Sequence, residues 1–490
     1  MKVETTCGWI EGVREGRFEV FKNIPFAAPP IGPLRFKPPQ LPQKWDGVRD
    51  CTAYGPRAVQ DRSKPENAGA WMSEADCLNL NVWTPGVDQQ KRPVLVHIHG
   101  GGLCWGANSD AGSEGQRFAQ DREIVVVSIQ YRLGVLGYLH LRHLLGEEYA
   151  QSGNCGLLDQ VAALRWVQEN IERFGGDPEN VTIMGQSAGG RSVGGLLVTP
   201  EAKGLFHKAI LQSGAIQSVH DEKTARELTR QILEAFGLQE EDAAQLLEMP
   251  AEALIARQNR LDDGRILVHY FGPVIDGITI TQRPEDVIAG GVLGNMPLLV
   301  GSNRDEMCPP PSEEAFTPAY VALKLNSFGA NRPHVEAQYQ KLKETQGGPL
   351  AMANTLTQYV YGNQALALAA LAAKAGGPVW LYRWDHDQNR VPAAAHATEM
   401  AYIFGGGAEQ PDKGYPDTEE NHKLAKLMND IWTGFVQRGE PSAPGLPDWP
   451  PYRTEGMGTR MHLCPQPYTE EFDLARGYDK EMPYQVMRYE

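Results

Sequence analysis

Residues Val181 to Gly190 read V-T-I-M-G-Q-S-A-G-G, a strand-like run that meets Gly-x-Ser-x-Gly and continues into small residues. Few backbone paths satisfy that order. A buried strand can pass directly into a helix only if the bend between them carries almost no side chain. Gly185 and Gly189 supply that freedom. The segment therefore predicts a strand, a sharp turn with Ser187 at its apex, and a helix that begins at once. The first amides of such a helix have no intrahelical partner and sit at the positive end of its dipole, so they point toward whatever the serine hydroxyl meets. A second match, Gly190-Arg191-Ser192-Val193-Gly194, overlaps the first. No strand-like run precedes it, so Ser192 is expected inside the helix with a structural hydroxyl.

The flanking sequence alternates strand and helix signals. Arg17 to Phe21 and Leu80 to Trp83 read as short pieces of a peripheral antiparallel start. Arg92 to His99 and Ile124 to Ile129 are apolar enough for strands buried on both faces. Leu157 to Phe174 repeats apolar residues at three- and four-residue steps, as a helix does, and Gly175-Gly176 ends it. Strand signals return at Ala209 to Gln212, Met296 to Val300 and Val379 to Trp384. The expectation is an α/β chain, one unit over 1–490, with a mostly parallel central sheet and helices on both faces. Helical segments at 220–262 and 309–375 are expected as insertions over the active site.

A serine alcohol needs a base, an acid to orient that base, and donors for the oxyanion. His99-Gly100-Gly101-Gly102 follows a buried strand, and its glycines let backbone amides approach a substrate oxygen. A dinucleotide loop of the G-x-G-x-x-G type fails there because the last position is Trp105, and the chain has no Gly-Lys for a P-loop. The Ala188 amide would complete the hole. Asp305 and Glu306 are adjacent carboxylates just past a late strand, and spacing does not choose between them. His386, His396, His422 and His462 are the downstream histidines. His396, in a loop after a late strand, is favoured. His97 with His99, and His140 with His143, lack the nearby acidic or cysteine partners of a metal site. Trp105, Phe271 and Phe316 are aromatic candidates for a pocket wall.

Several motifs in order resemble the type-B carboxylesterases, the family of cholinesterases and bacterial p-nitrobenzyl esterases. They are Asn23 to Pro30, Asp76 to Pro85, His99 to Gly102, Asn154 to Gln160, Phe174 to Pro178, the turn at Ser187, Gln212 to Ala215, Asn303 to Glu306 and His396 to Glu399. The resemblance implies the α/β-hydrolase fold and a serine carboxylic-ester hydrolase acting through an acyl-enzyme on small to medium esters. It selects Glu306 over Asp305, and supports Ser187, His396 and the amides of Gly101, Gly102 and Ala188. An amide or carbamate hydrolase, or an acyltransferase, would use the same residues, and a non-catalytic binding protein would share the fold. The chain departs from the family at Gln186, where glutamate is usual, and at Met307-Cys308-Pro309, where a glycine is common. Cys77 matches a family half-cystine, but its upstream partner position is Ala58, with Cys51 the conceivable substitute.

With 46 Lys and Arg against 61 Asp and Glu, the net charge of −15 argues against a nucleic-acid partner. No apolar run approaches a membrane span of about 18 residues. The seven cysteines are scattered without C-x-x-C, and the first ten residues hold no apolar stretch. Thiols and a cytoplasmic setting are therefore expected. The partner implied is a small-molecule ester, with no membrane, metal or organic cofactor, and oligomeric state is left open.

Overall fold

Strands that are apolar at nearly every position need cover on both faces, and the computed structural model shows how this chain provides it. The structure describes residues 1–64, 67–259, 270–309, 312–405, 414–452, 458–474, 477–482 and 484–489. The amino-terminal part makes β1 (Lys2–Thr5), β2 (Gly8–Glu11), β3 (Val13–Glu15), β4 (Phe18–Pro25) and β5 (Val48–Asp50). The strands β6 (Asn79–Thr84), β7 (Arg92–Ile98), β8 (Val125–Ile129), β9 (Gly176–Gln186) and β10 (Lys208–Gln212) follow. Then come β11 (Leu298–Asn303), β12 (Val379–Trp384), β13 (Gly458–Leu463) and β14 (Tyr468–Phe472).

Strands β1, β2 and β5 form a small sheet, and the others form one of 11 strands in the order β14-β13-β12-β11-β10-β9-β7-β8-β6-β4-β3. From β8 through β7 to β13 every pairing is parallel. Antiparallel β6, β4 and β3 complete one side and antiparallel β14 the other. This is the mostly parallel α/β sheet expected, with the peripheral antiparallel start.

Alternate residues of each parallel strand enter opposite cores, as the period of two requires. Val94, Val96 and Ile98 of β7 pack with Leu164 and Val167 of the helix Cys155–Asn170. Leu95 joins Met184, Ile210, Met428, Ile431 and Trp432, the last three from the helix Glu419–Arg438. Burying one such side chain contributes about 1.5–3 kcal/mol.

The boundaries shift slightly from the sequence reading. The helix expected over Leu157 to Phe174 starts at Cys155, and Ile171–Phe174 tightens into a 3-10 turn closed by left-handed Gly175. His99 lies just past the end of β7. The segment 220–262 holds the helices Glu222–Phe236, Gln245–Glu248 and Ala251–Gln258, with 260–262 outside the described residues. The segment 309–375 holds the helices Pro318–Asn326, Arg332–Gln346, Gly348–Leu356 and Asn363–Lys374, with 310–311 outside. No helix among the described residues is long and apolar enough to cross a membrane.

None of the seven cysteines is in a disulfide, and Cys51 and Cys77 are buried. Burial pushes the Cys51 thiol up to about 12 and raises that of Cys77 further. Since the thiolate is the reactive form, both should resist an aromatic disulfide reagent in the native protein at neutral pH. After denaturation without reductant, seven thiols should titrate. Recovery of a Cys51–Cys77 cystine peptide would contradict the structure.

Candidate active site

Gln186 is the last residue of β9, and the helix Ala188–Leu197 starts two residues later. Between them Ser187 has φ 59° and ψ −122°, a region that L residues rarely occupy. The turn has no space for a side chain on its glycines. A Cβ on Gly185 would lie 2.1 Å from the carbonyl carbon of Gly189, and one on Gly189 2.0 Å from the Ile98 carbonyl oxygen. The Ser187 amide donates to the Gln212 carbonyl at 2.8 Å, which ties the apex to the end of β10. Ser192 lies inside the helix, where its hydroxyl accepts from Gln160 Nε2 at 3.0 Å, so the second match is structural.

The glycine loop passes directly beside this turn. A Cβ on Gly100 would be 3.4 Å from Ser187 Cβ and 2.8 Å from the Gln186 carbonyl oxygen. Gly101 and Gly102 have φ of 104° and 63°, conformations that favour glycine. His99 holds the loop. Its Nδ1 bonds the Gly100 carbonyl at 2.8 Å, and its ring stacks on Tyr131. Burial lowers His99 to about 4, so the ring is neutral and Nδ1 can donate. His97 meets Phe404 edge-on, and His140 stacks on His143.

The two carboxylates left open by spacing make different contacts. Glu306 is buried; its Oε1 accepts from the Asn303 amide at 2.7 Å and its Oε2 meets His396 Nδ1 at 2.6 Å. Asp305 turns the other way. It pairs with Arg304 at 2.9 Å and accepts from the Ala394 amide at 3.0 Å. The remaining histidines are engaged elsewhere: His386 with Asn421, His422 with Asp417, and His462 with Asp385 and Glu470.

The loop carrying His396 is anchored from below. Asn303 Nδ2 donates to the Ala395 carbonyl and to Glu399 Oε2, both at 2.7 Å, and Gln212 Nε2 donates to Glu399 Oε1 at 3.1 Å. Burial, with the neighbouring Glu306 charge second, pushes Glu399 up to about 7 against the Asn303 donor and its own backbone amide. On the other side of the imidazole, Gln186 Nε2 lies 3.3 Å from His396 Nε2. With Nδ1–H given to Glu306, neutral His396 presents a lone pair at Nε2, which the amide N–H meets. Tyr361 covers the ring, with centroids 4.6 Å apart. Asn303 and Glu399 stood within quoted motifs but without a role; Tyr361 had no sequence signal at all.

A cavity of about 480 Å³ opens here, lined among others by Gly100, Gly101, Trp105, Gln186, His396, Met400 and Phe404. Trp105 is thus on a pocket wall. Phe271 is not in this lining but in the core, and Phe316 is likewise elsewhere, packed on Tyr320.

The model of the carboxylesterase family matches residues 1–475. The para-nitrobenzyl esterase of Bacillus subtilis (strain 168) is 36% identical over 469 residues, 93% of this chain and 94% of that protein. Carboxylesterase 1E of Rattus norvegicus is 34% identical over 483 residues, 88% of this chain and 84% of that protein. The crystal structure of the Geobacillus stearothermophilus carboxylesterase EST55 at pH 6.2 superposes with a TM-score of 0.83 at 36% identity, covering 97% of this chain and 98% of that one.

The packing at the turn gives a stability test. Gly189→Ala should destabilise by about 1–3 kcal/mol or more, because the Ile98 carbonyl it meets is backbone and cannot step aside. Gly195→Ala in the same helix, whose nearest contact would be Leu157 Cδ1 at 3.3 Å, should change little. Denaturant midpoints for the two variants check this, and equal effects would contradict the close approach.

Proposed function

This chain belongs to the carboxylesterase family and is a carboxylic-ester hydrolase; from that premise we propose that Ser187 is its nucleophile, His396 its general base and Glu306 the acid that orients the base. The observation that carries the reading is the 2.6 Å contact of Glu306 Oε2 with His396 Nδ1, while the other ring nitrogen faces the residue that precedes Ser187. The bond at Nδ1 leaves Nε2 as the basic nitrogen.

Ser187 attacks the ester carbonyl as His396 takes its proton. The carbonyl oxygen becomes an oxyanion, met by the amides of Gly101, Gly102 and Ala188. The Ala188 amide opens its helix, where it has no intrahelical partner. Glu306 stabilises the imidazolium, which then protonates the departing alkoxide. Water, deprotonated by the same imidazole, releases the acid from the acyl-enzyme. Amides fixed before the reaction starts need no reorganisation when the charge develops, and each is worth roughly 10²–10³-fold in rate. The cavity of about 480 Å³ beside His396 suits small to medium esters.

The segments at 220–262 and 309–375 are read as insertions over one catalytic unit spanning 1–490. Tyr361, from the second, touches His396, and Gln258, from the first, accepts from the Val135 amide just beyond the end of β8. Seven free thiols support a reducing, cytoplasmic setting.

Ser187→Ala should lower kcat/KM at least about 10³-fold, whereas Ser192→Ala should leave it near the parent value. Glu306→Gln should cost far more than Asp305→Asn, since a neutral amide cannot support the imidazolium. Assays on p-nitrophenyl esters check both pairs. An active Ser187→Ala, or a more damaging Asp305→Asn, would reject the assignment.

Gln186 supplies a test by pH. A carboxylate at this position would favour protonated His396 where the amide now favours the free base. Gln186→Glu should therefore move the acidic limb of the kcat/KM profile on a neutral ester to higher pH. A limb that stays in place would mean that residue 186 does not sense the base.

A further inference from the structure

The helices Gly348–Leu356 and Asn363–Lys374 would be continuous but for the stretch between them, Thr357–Gly362, which winds as a π-helix. A π turn holds one residue more than α geometry would, and so re-aims the side chains within it; such turns concentrate at functional sites. Here its residues take separate anchors. Thr357 Oγ1 accepts from the amide of Met307, the neighbour of Glu306, at 3.0 Å. The Tyr359 hydroxyl donates to Asp479 at 2.7 Å, and the Val360 carbonyl accepts from Gln217 Nε2 at 3.2 Å. Tyr361 is buried with its ring on His396, centroids 4.6 Å apart and planes at 36°. One turn of helix thus reaches both the loop of Glu306 and the ring of His396.

We propose that this π turn is a positioning element for the Glu306–His396 pair, with Tyr361 as the side chain through which it acts. The inference rests on His396 being the base. Glu306 restrains the imidazole at Nδ1 and Gln186 meets it at Nε2. Neither contact limits tilting of the ring out of its plane, and the Tyr361 ring does. An aromatic face also attracts a cation more than a neutral ring. Tyr361 therefore favours the imidazolium that forms while Ser187 is being acylated, and its effect belongs to turnover more than to substrate binding. Among the described residues, the titratable and charged groups facing His396 include Glu306 from the loop after β11, Glu399 from the helix Thr398–Phe404 and Tyr361 itself, with Asp110 and Arg390 on the walls of the same cavity; Gln186 at the end of β9 is neutral. Burial raises the Tyr361 hydroxyl, and the charge of Arg191, buried in the helix that follows Ser187, opposes that rise.

The test compares Tyr361→Phe, Tyr361→Leu and Tyr361→Ala in the full chain, with Ser187→Ala alongside. Phe keeps the face and should hold kcat within about threefold, whereas Leu should lower kcat by about tenfold or more with KM within about twofold. The acidic limb of kcat/KM for Leu should move to lower pH by roughly half a unit, as the imidazolium loses its aromatic neighbour. The proton that His396 Nδ1 gives to Glu306 should appear far downfield in the proton spectrum of the resting parent and Phe proteins, and broaden or vanish in Leu. That signal needs no turnover, so it reports on Tyr361 even if ester hydrolysis survives in Ser187→Ala and the assignment of the base fails. Should Ala not fold, Leu decides. A Leu variant with parental kcat, an unmoved limb or an unchanged downfield proton would overturn the proposal, as would a loss confined to KM.

Discussion

Where β9 meets its helix, three stretches of backbone pack against one another with no side chain between them. Gly189 lies on the end of β7, Gly185 on Gly189, and Gly214, just past β10, lies so that a Cβ would stand 2.5 Å from the Ser187 carbonyl oxygen. The parallel register makes this possible. Ile98 is level with Gly185 and Gln212 with Gln186, so neighbouring strands deliver their last residues to one line. Holding Ser187 at positive φ costs on the order of 1–3 kcal/mol, and the surrounding backbone leaves it no way to relax. The same contact seats the glycine loop against the serine. Ser187, the proposed nucleophile, and the glycine loop proposed to supply oxyanion donors are therefore held against each other chiefly by main chain.

The proposed acid and base, Glu306 and His396, are fixed differently, through buried polar side chains. Asn303 bonds Glu306 with its amide and the His396 loop with its side chain. Glu399 receives Asn303 and Gln212, and Gln212 in turn accepts from Trp432 Nε1 at 3.2 Å, which carries the network into the core under the helix Glu419–Arg438. Two buried carboxyls this close cannot both ionise cheaply. Glu399 is the one raised, to about 7, by burial first and the neighbouring Glu306 charge second. As pH rises through about 7 and Glu399 ionises, its contribution to stability falls, because its charged form is the one that burial penalises.

The parts legible in the sequence are those that main-chain geometry dictates. Gly185 and Gly189 announce the turn because no other residue fits, and β8 and β10 announce burial through the apolar runs Val125-Val126-Val127 and Ala209-Ile210-Leu211. The choice of Glu306 over Asp305 was not legible from spacing, since adjacent residues project to opposite sides and only the Asn303 and Arg304 contacts show which side faces the histidine. The resemblance implies Glu306, and the His396 contact supports that reading. Tyr361 was invisible because its aim depends on one extra residue in a helical turn, and the Ala-rich sequence that follows reads as an ordinary helix. His99 opens the glycine loop in the sequence, but that its ring braces the loop against Tyr131 depends on contacts that sequence spacing does not show.

The antiparallel strands at either margin of the sheet have a consequence for the protein in concentrated solution. A long sheet of apolar parallel strands with an open side would pair with another copy of itself. Here the margins are β3, three residues reading V-R-E, and β14, five residues reading Y-T-E-E-F. Both are short and charged, and Glu470 is held by Arg460 at 2.6 Å. With the net charge of −15 adding mutual repulsion between molecules, edge-to-edge aggregation is opposed at both ends of the sheet. The seven parallel strands that carry the chemistry stay inside margins that repel a further strand.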